Sequence, residues 1–261
     1  GNTWREGESS SDPPAALAAA SDPLEYSVTL EPAPGNWLFV LDIPRQIPPR
    51  SRLSGDFQLL SDEPVKRRKR YRASSSLDYR TGPPGAGELS RGLQLPDNIT
   101  PRMRELVAQW QQNGASPAKV AESALRHFRQ QPFYYTLYPP LAEQNPADQF
   151  LFETRAGFCE HYATSFTLLM RIAGIPARVV AGYQGGERNP LGDYLILRQS
   201  DAHAWSEVWL EERGWVRVDP TAAVAPERIE QPLDLDQISG RIGAPVLFGR
   251  PDSNLIRTVV R

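Results

Sequence analysis

The sequence has very few of the residues that build disulfides and metal clusters. Its 261 residues include one cysteine, Cys159, and three histidines, His127, His161 and His203. A single thiol cannot form an intrachain disulfide, and it cannot supply the several thiolates of a structural zinc site. These counts exclude a disulfide-stapled scaffold and a thiolate-rich zinc module.

The chain also lacks a long apolar run and an excess of either charge. No stretch approaches the ~20 apolar residues of a membrane span, and no signal-peptide pattern opens the sequence. The net charge is −2, from 29 Lys and Arg against 31 Asp and Glu. A balance so close to zero predicts no general attraction to nucleic acid, which we therefore do not expect as a partner.

Composition divides the chain into three predicted parts. Residues 1–95 form a β-rich N-terminal region, because short apolar and alternating runs there are closed by prolines. Residues 96–228 combine helical and strand patterns and are predicted to form the main core. Residues 229–261 form a C-terminal extension with scattered apolar residues. Helices and antiparallel hairpins in one chain predict an α+β fold.

One strong run of positive charge, Lys-Arg-Arg-Lys-Arg-Tyr-Arg, occupies residues 66–72. In a strand such a run places cations on both faces, which predicts an exposed sheet edge that resists aggregation. The functional alternative is a contact with anionic lipid or another acidic surface. We favour the solvated edge, because charge runs are most often solvated.

Two helices are predicted ahead of the cysteine, and each begins with a hydroxyl residue followed by proline. Thr100 and Pro101 begin the first, and Ser116 and Pro117 begin the second. Apolar residues recur at helical spacing along both, so both are predicted to be structural. His127 lies on the second helix among arginines, and we expect it at the surface.

Cys159 stands at the predicted N-terminal end of a third helix. An apolar stripe follows it at helical spacing as far as Ala173, and Gly174 and Pro176 end the helix. The free N–H groups and the positive dipole at a helix start stabilise a thiolate. Gly157 is expected to allow a tight turn just before the cysteine. This position alone does not decide between a reactive and an inert thiol.

A predicted hairpin brings a histidine and an aspartate together. Alternation along residues 203–209 places His203 on one face of a strand, and residues 215–219 form the returning strand. If Trp209 pairs with Trp215 through a bulged loop that uses Gly214, Asp219 falls on the face of His203, within side-chain hydrogen-bonding reach. A two-residue turn would shift the register by one and send Asp219 to the opposite face.

A cysteine at a helix start, a histidine on a strand and an aspartate on the next strand are the parts of a nucleophile, base and orienter. Each has an ordinary alternative: a lone thiol, a polar strand residue and a carboxylate before proline. Their joint occurrence favours the catalytic interpretation of Cys159, His203 and Asp219. A zinc site from Cys159, Glu160 and His161 is disfavoured, because adjacent helical positions do not converge on one ion.

Three motifs around these residues resemble the transglutaminase-like core superfamily. They are Gly-Phe-Cys at 157–159, His-Ala-Trp-Ser-Glu at 203–207 and Gly-Trp-Val-Arg-Val-Asp-Pro-Thr at 214–221. Residues 36–42 and 148–152 are similar to the bacterial TgpA-type proteins of this superfamily. The resemblance implies a cysteine-protease-like core in which the nucleophile helix packs on an antiparallel sheet.

The resemblance also implies a role for each residue. Cys159 would attack a glutamine carboxamide, His203 would move the proton, and Asp219 would orient the imidazole. Ammonia would leave, and an amine or water would resolve the thioester, without a metal or organic cofactor. The backbone N–H of Cys159 is the expected oxyanion donor, with Tyr134 or Tyr135 as possible side-chain donors, whereas His161 is expected to support the fold.

The same resemblance implies where the parent protein lies. In TgpA-type proteins a periplasmic segment sits between transmembrane helices of an inner-membrane protein. The sequence begins at Gly1 without a methionine, so we expect an excised periplasmic piece of such a parent, with residues 229–261 leading back towards the membrane. A protein or peptide is the expected substrate.

Two alternatives to acyl transfer remain open. The same three residues could act hydrolytically as a protease or amidase on peptide or cell-wall stems, depending on how well the cleft excludes water from the thioester. A catalytically silent binding module of the envelope is the other alternative. Retention of Cys159, His203 and Asp219 together argues against it.

Overall fold

The computed structural model describes residues 17–19, 22–142, 144–226 and 258–260. Its α-helices are α1 (Ala86–Gly92), α2 (Pro101–Trp110), α3 (Pro117–Gln130), α4 (Pro146–Gln149) and α5 (Cys159–Ile172). Three short 3₁₀ helices are present at Gln112–Gly114, Gln199–Asp201 and Pro220–Ala223, and a π-helical turn is present at Phe150–Thr154. None of the helices in these ranges is both long and apolar enough to cross a membrane.

Sixteen strands are found in the same residues. They are β1 (Leu17–Ala19), β2 (Leu24–Leu30), β3 (Trp37–Leu38), β4 (Ile43–Gln46), β5 (Ser51–Leu53), β6 (Leu59–Ser61), β7 (Lys69–Ser76), β8 (Tyr79–Thr81), β9 (Tyr134–Tyr135), β10 (Ala156–Gly157), β11 (Ala177–Tyr183), β12 (Glu187–Arg188), β13 (Leu195–Leu197), β14 (Ala202–Leu210), β15 (Gly214–Val218) and β16 (Thr258–Val260).

The described residues fall into two compact units. The first includes residues 22–82 and 186–201, and the second includes residues 83–185 and 202–226. Residues 186–201 belong to the first unit, where β13 pairs with β16 and β16 pairs with β2. The predicted boundaries at 95 and 228 stay predictions, and most of the predicted extension 229–261 lies outside the described residues.

The first unit is built on a six-stranded antiparallel sheet with the order β12-β13-β16-β2-β7-β4. Alternate residues of β2 are buried, ending with Val28 and Leu30, because successive side chains of a strand point to opposite faces. They pack with Leu38 and Leu59 of the small β3-β6-β5 sheet. The predicted β-rich character of this region is therefore seen in its described part.

The positively charged run does not place cations on both faces of a strand, as the sequence predicted. Its second half belongs to β7 and pairs with β2, whereas β4 pairs with β7 only at residues 74–76. Tyr71 is 6% exposed, and its hydroxyl donates to the carbonyl of Phe39 at 2.7 Å, whereas Arg70 and Arg72 are exposed. The tyrosine breaks the run, so β7 keeps one apolar face and its arginines occupy the other.

The second unit begins with the two predicted helices, and their caps are confirmed. The Thr100 hydroxyl accepts the N–H of Met103 at 3.4 Å, and the Ser116 hydroxyl accepts the N–H of Lys119 at 3.5 Å. Proline occupies the first turn of each helix, where a missing N–H costs nothing. The buried side chains on these helices are Met103, Val107, Val120, Ala121, Ala124 and Phe128.

His127 is not the surface residue predicted from its arginine neighbours. Its ring packs 5.7 Å from those of Trp110 and Phe133 (between centroids), and burial lowers its pKa. Arginine side chains one and two positions away on a helix point elsewhere, whereas residues on a facing helix and the following loop cover the imidazole. His127 is therefore a half-buried structural residue.

The core of the second unit lies between α5 and the three-stranded antiparallel sheet β11-β14-β15. The hydroxyl of Ser206 on β14 donates to the carbonyl of Ala163 at 3.0 Å, and Thr167 donates to Ser206 at 3.1 Å. Both bonds are buried, where a satisfied polar pair fixes the helix on the strand. This is the predicted α+β arrangement of a nucleophile helix packed on an antiparallel sheet.

The hairpin β14–β15 has the register that the sequence analysis required. Trp209 pairs with Trp215, and Leu210 pairs with Gly214 across a three-residue loop. Gly214 has φ +77°, a conformation that a glycine adopts without strain and that closes the bulged turn. The same register pairs Ser206 with Val218, so Asp219 follows directly beyond the last paired residue.

Candidate active site

The nucleophile candidate lies where the sequence predicted it. Cys159 is the first residue of α5 and is partly exposed. The chain reaches it from the π-helical turn through β10, which pairs in parallel with β9. The N–H groups at a helix start have no partner within the helix, so they surround the thiol with donors. The side chain is thus reachable from solvent in a setting that favours an anion.

Gly157 is needed for close packing rather than for the tight turn predicted. It lies in β10, and a Cβ built on it would stand 2.7 Å from both Cβ and Cγ of His161. The ring of His161 packs 4.6 Å from that of Phe158 and 5.6 Å from that of Phe150. Its Nδ1 accepts the N–H of Phe158 at 3.5 Å, which gives the N–H of the N-cap residue of α5 a hydrogen-bond partner.

His161 therefore acts on the fold, as predicted from its position. Burial lowers the pKa of its imidazole, so the neutral ring that can accept the Phe158 N–H is favoured at neutral pH. Through this contact the ring holds the first turn of α5, and with it the backbone that carries Cys159.

Replacing Gly157 with alanine should lower the free energy of unfolding by about 1–3 kcal/mol, because the new methyl group must displace the His161 side chain. Urea denaturation followed by circular dichroism measures this. Gly87→Ala is a matched control, because a Cβ there meets only the Arg91 guanidinium at 3.5 Å inside a helix. The control should be neutral or slightly stabilising. Equal unfolding midpoints for the two variants would contradict the steric argument.

The structure brings the three predicted site residues together. His203 Nε2 lies 2.6 Å from Asp219 Oδ2, and the side chain of Cys159 lies close enough to the imidazole to raise its pKa. The second carboxylate oxygen, Oδ1, accepts the backbone N–H of Thr221 at 3.0 Å. The histidine and aspartate side chains are 6% and 11% exposed. Because Nε2 faces Asp219, Nδ1 is the nitrogen available to the sulfur.

The environment of His203 favours its protonated form. Burial acts most strongly and lowers the pKa, but hydrogen bonds and charges from Asp219 and Cys159 together outweigh it and raise the pKa of His203 to about 9. The ordinary histidine value is about 6.5. An imidazolium held between a carboxylate and a sulfur can stabilise the thiolate and later donate a proton.

The sequence patterns did not predict that Trp205 and Arg217 stack beside His203. The indole of Trp205 lies 6.3 Å from the imidazole with the planes 24° apart, and the guanidinium of Arg217 lies 4.0 Å from the same indole. Arg217 also donates a hydrogen bond to Gln184. Gly182 makes room for the indole, since a Cβ there would stand 2.7 Å from Trp205. The alternation that placed Asp219 beside His203 could also have placed Arg217 there.

The two tyrosines considered as oxyanion donors form β9, beside the strand that precedes Cys159. Tyr134 pairs with Ala156 and Tyr135 with Gly157. Tyr134 is 56% exposed, and Tyr135 packs against the core of the second unit. Their backbones are thus fixed beside the residues before the nucleophile, while the oxyanion role of either hydroxyl stays a prediction.

Two further features concern charge and metals near the site. Glu160, next to Cys159, has its pKa raised by burial. Within the described ranges no group of three or more His, Cys, Asp or Glu side chains lies close enough to hold a metal ion.

The sequence and the fold are similar to those of known proteins. Residues 104–220 match the transglutaminase-like superfamily, and residues 1–82 match the TgpA N-terminal domain. The crystal structure of the periplasmic domain of TgpA from Pseudomonas aeruginosa superposes with a TM-score of 0.82 at 43% identity, covering 89% of this chain and 81% of that one. The chain belongs to the family of TgpA periplasmic domains, within the transglutaminase-like superfamily.

Two longer proteins are similar to this TgpA-type chain. A protein-glutamine gamma-glutamyltransferase of Pseudomonas aeruginosa is 47% identical over 219 residues, which is 81% of this chain and 32% of that protein. The uncharacterized protein YebA of Bacillus subtilis is 34% identical over 138 residues, which is 50% of this chain and 19% of that protein. The chain therefore spans a third or less of the length of these relatives.

Proposed function

We propose that this TgpA-type domain is a thiol acyltransferase of the protein-glutamine gamma-glutamyltransferase type, with Cys159 as nucleophile, His203 as acid and base, and Asp219 as orienter. The proposal is carried by the His203–Asp219 hydrogen bond together with Cys159 beside the same imidazole. The name of the 47% identical relative supports the same reaction. The triad of nucleophile, base and orienter is recognised by this geometry rather than by chain order.

In the first half-reaction the Cys159 thiolate attacks the carbonyl carbon of a glutamine carboxamide. A carbon–sulfur bond forms, and the negative charge on oxygen is held by the N–H of Cys159 at the start of α5. The His203 imidazolium then donates its Nδ1 proton to the departing nitrogen. The carbon–nitrogen bond breaks, ammonia leaves, and the acyl group remains on sulfur as a thioester.

In the second half-reaction a primary amine attacks the thioester. The now neutral Nδ1 of His203 accepts a proton from the amine nitrogen as the new carbon–nitrogen bond forms. The carbon–sulfur bond breaks and returns the electron pair to sulfur, which restores the thiolate and the imidazolium. Throughout, Asp219 keeps Nε2 protonated and the ring in place, and Trp205 with Arg217 supports the ring from the side.

The membership in the TgpA family also supports a cellular location. We place the domain in the periplasm of a bacterium, as part of a parent protein held in the inner membrane, with proteins or peptides as acyl donors. The described residues would supply the catalytic portion of such a parent.

The reaction is tested by measuring two products in parallel. The protein, incubated with a glutamine-containing peptide and dansylcadaverine, should release ammonia and form the fluorescent peptide adduct in comparable amounts. Protein alkylated at Cys159 with iodoacetamide is the blank. Ammonia release without adduct would show that the protein is an amidase and not a transferase. Cleavage of the peptide backbone without ammonia would show that it is a protease.

The pH dependence of kcat/KM follows from the pKa of His203. A group whose pKa is raised to about 9 keeps its proton through neutral pH and loses it as the pH rises past that value. Since the imidazolium must donate a proton to the departing nitrogen so that it leaves as ammonia, kcat/KM should fall as the pH rises through about 9. Initial rates of ammonia release between pH 6 and 10.5 measure this. A falling limb centred near the ordinary histidine value of about 6.5 would contradict the assignment.

A further inference from the structure

The chain segment after β9 carries an exposed apolar surface close to Cys159. In this segment, residues 136–142, Tyr138 is 45% exposed and Leu141 is 97% exposed. Tyr134, which lies in β9 shortly before this segment, is 56% exposed as well. Exposed apolar and aromatic side chains that follow one another along a chain segment beside a nucleophile are candidates for contact with a substrate.

The backbone fixes this segment beside the nucleophile. The N–H of Tyr134 donates to the carbonyl of Arg155 at 3.0 Å, and the N–H of Thr136 donates to that of Gly157 at 2.9 Å. Because the pairing is parallel, the chain after Thr136 runs in the same direction as the chain that enters α5 at Cys159. Paired strands lie about 4.8 Å apart, so the segment starts alongside the sulfur-bearing residue.

The segment is also stiffened in its exposed form. The Thr136 hydroxyl accepts the N–H of Tyr138 at 3.1 Å, and Pro139 and Pro140 follow. Prolines restrict the backbone of the segment, so little conformational entropy of the segment is lost when a partner binds. Residues 131–142 contain no charged side chain, so the surface offers apolar contact and no charge selection.

We propose that residues 136–142 bind the acyl-donor polypeptide and select glutamines that have an apolar residue two to four positions away. This rests on the proposed function. A substrate whose glutamine reaches Cys159 continues past this segment, and an extended chain advances about 3.3 Å per residue. A leucine or aromatic residue two to four positions from the glutamine therefore lies about 7–13 Å from it, and Tyr138 and Leu141 follow Thr136, which hydrogen-bonds Gly157, by two and five residues.

The test compares two acyl-donor peptides. One has leucine two residues before and after the glutamine, and the other has serine at both places. The wild-type protein should prefer the leucine peptide by about tenfold in kcat/KM, measured as ammonia release. The double variant Tyr138→Ser with Leu141→Ser should reduce this preference to about twofold or less, while kcat/KM for the serine peptide is unchanged.

Leu93→Ser is the matched control, and it should keep the tenfold preference. Leu93 is 39% exposed and follows Gly92, which packs against Pro176 beyond the C-terminal end of α5. The 14 residues of α5 separate that end from Cys159 by about 21 Å. The control therefore changes an exposed leucine of the same unit at the opposite end of the nucleophile helix.

A second measurement separates this proposal from the catalytic one. Binding of fluorescein-labelled versions of both peptides to the Cys159→Ala protein is followed by anisotropy. Tighter binding of the leucine peptide that disappears in the double variant supports the surface, even if the wild-type protein released no ammonia and the proposed reaction failed. An undiminished preference in the double variant, an equal loss for both peptides, or dissociation of a dimer by the two serines would each overturn it.

Discussion

Replacing His203 with alanine should lower kcat/KM for ammonia release by at least about 10⁴-fold, as far as replacing Cys159 does. The imidazole performs two steps, since it stabilises the thiolate before attack and afterwards donates its proton to the departing nitrogen, which leaves as ammonia. It lies between Cys159 and Asp219, and its pKa of about 9 keeps it charged at neutral pH. Losses of activity are not additive for residues that act as one unit. The variant that lacks both Cys159 and His203 should therefore have a kcat/KM no lower than either single variant.

Loss of the fold is the main competing explanation, because His203 is 7% exposed and its removal leaves a cavity. Two further measurements separate the effects. Imidazole added to His203→Ala should restore part of the ammonia release, and alkylation of Cys159 by iodoacetamide at pH 7 should be slower than in the unaltered protein. Alkylation at an unchanged rate in a folded His203→Ala variant would show that the imidazole does not activate the thiol.

Local patterns in the sequence predicted the elements that carry the site. The hydroxyl–proline pairs at Thr100 and Ser116 mark two helix starts because they satisfy the free N–H groups of a first turn. Alternation and Gly214, which can adopt a positive φ, indicated one of the two hairpin registers that the sequence left open, and that register is the one found. These signals act over few residues, so one sequence suffices to interpret them.

Other features depend on partners distant in the chain, and local patterns did not reveal them. His127 is covered by Trp110 and Phe133, and one face of the charge run is buried because the Tyr71 hydroxyl bonds to Phe39. The parallel pairing of β9 with β10 joins two dipeptides that have no strand pattern of their own. Tertiary contacts of this kind override local propensity.

Replacing Asp219 with asparagine should lower kcat/KM less than removal of His203 does, by about 10²–10⁴-fold. The carboxylate takes no part as a reactant. It accepts the Nε2–H of His203 through Oδ2 and the N–H of Thr221 through Oδ1. In the variant the Thr221 N–H keeps the amide oxygen on its side, so the amide NH₂ faces Nε2. The ring must then carry its proton on Nδ1, where it cannot accept a proton from the thiol or the attacking amine.

The variant should therefore have a pH profile of its own. Without the carboxylate the pKa of His203 loses the support that raises it, and the falling limb of kcat/KM should move from about 9 towards lower pH. Asp219→Ala is the control, because it removes the carboxylate without presenting an NH₂ group to Nε2. If wrong orientation of the amide causes the loss, alanine should be the more active of the two. Equal activity of both variants would assign the loss to the missing charge alone, and unaltered activity in either would remove Asp219 from the site.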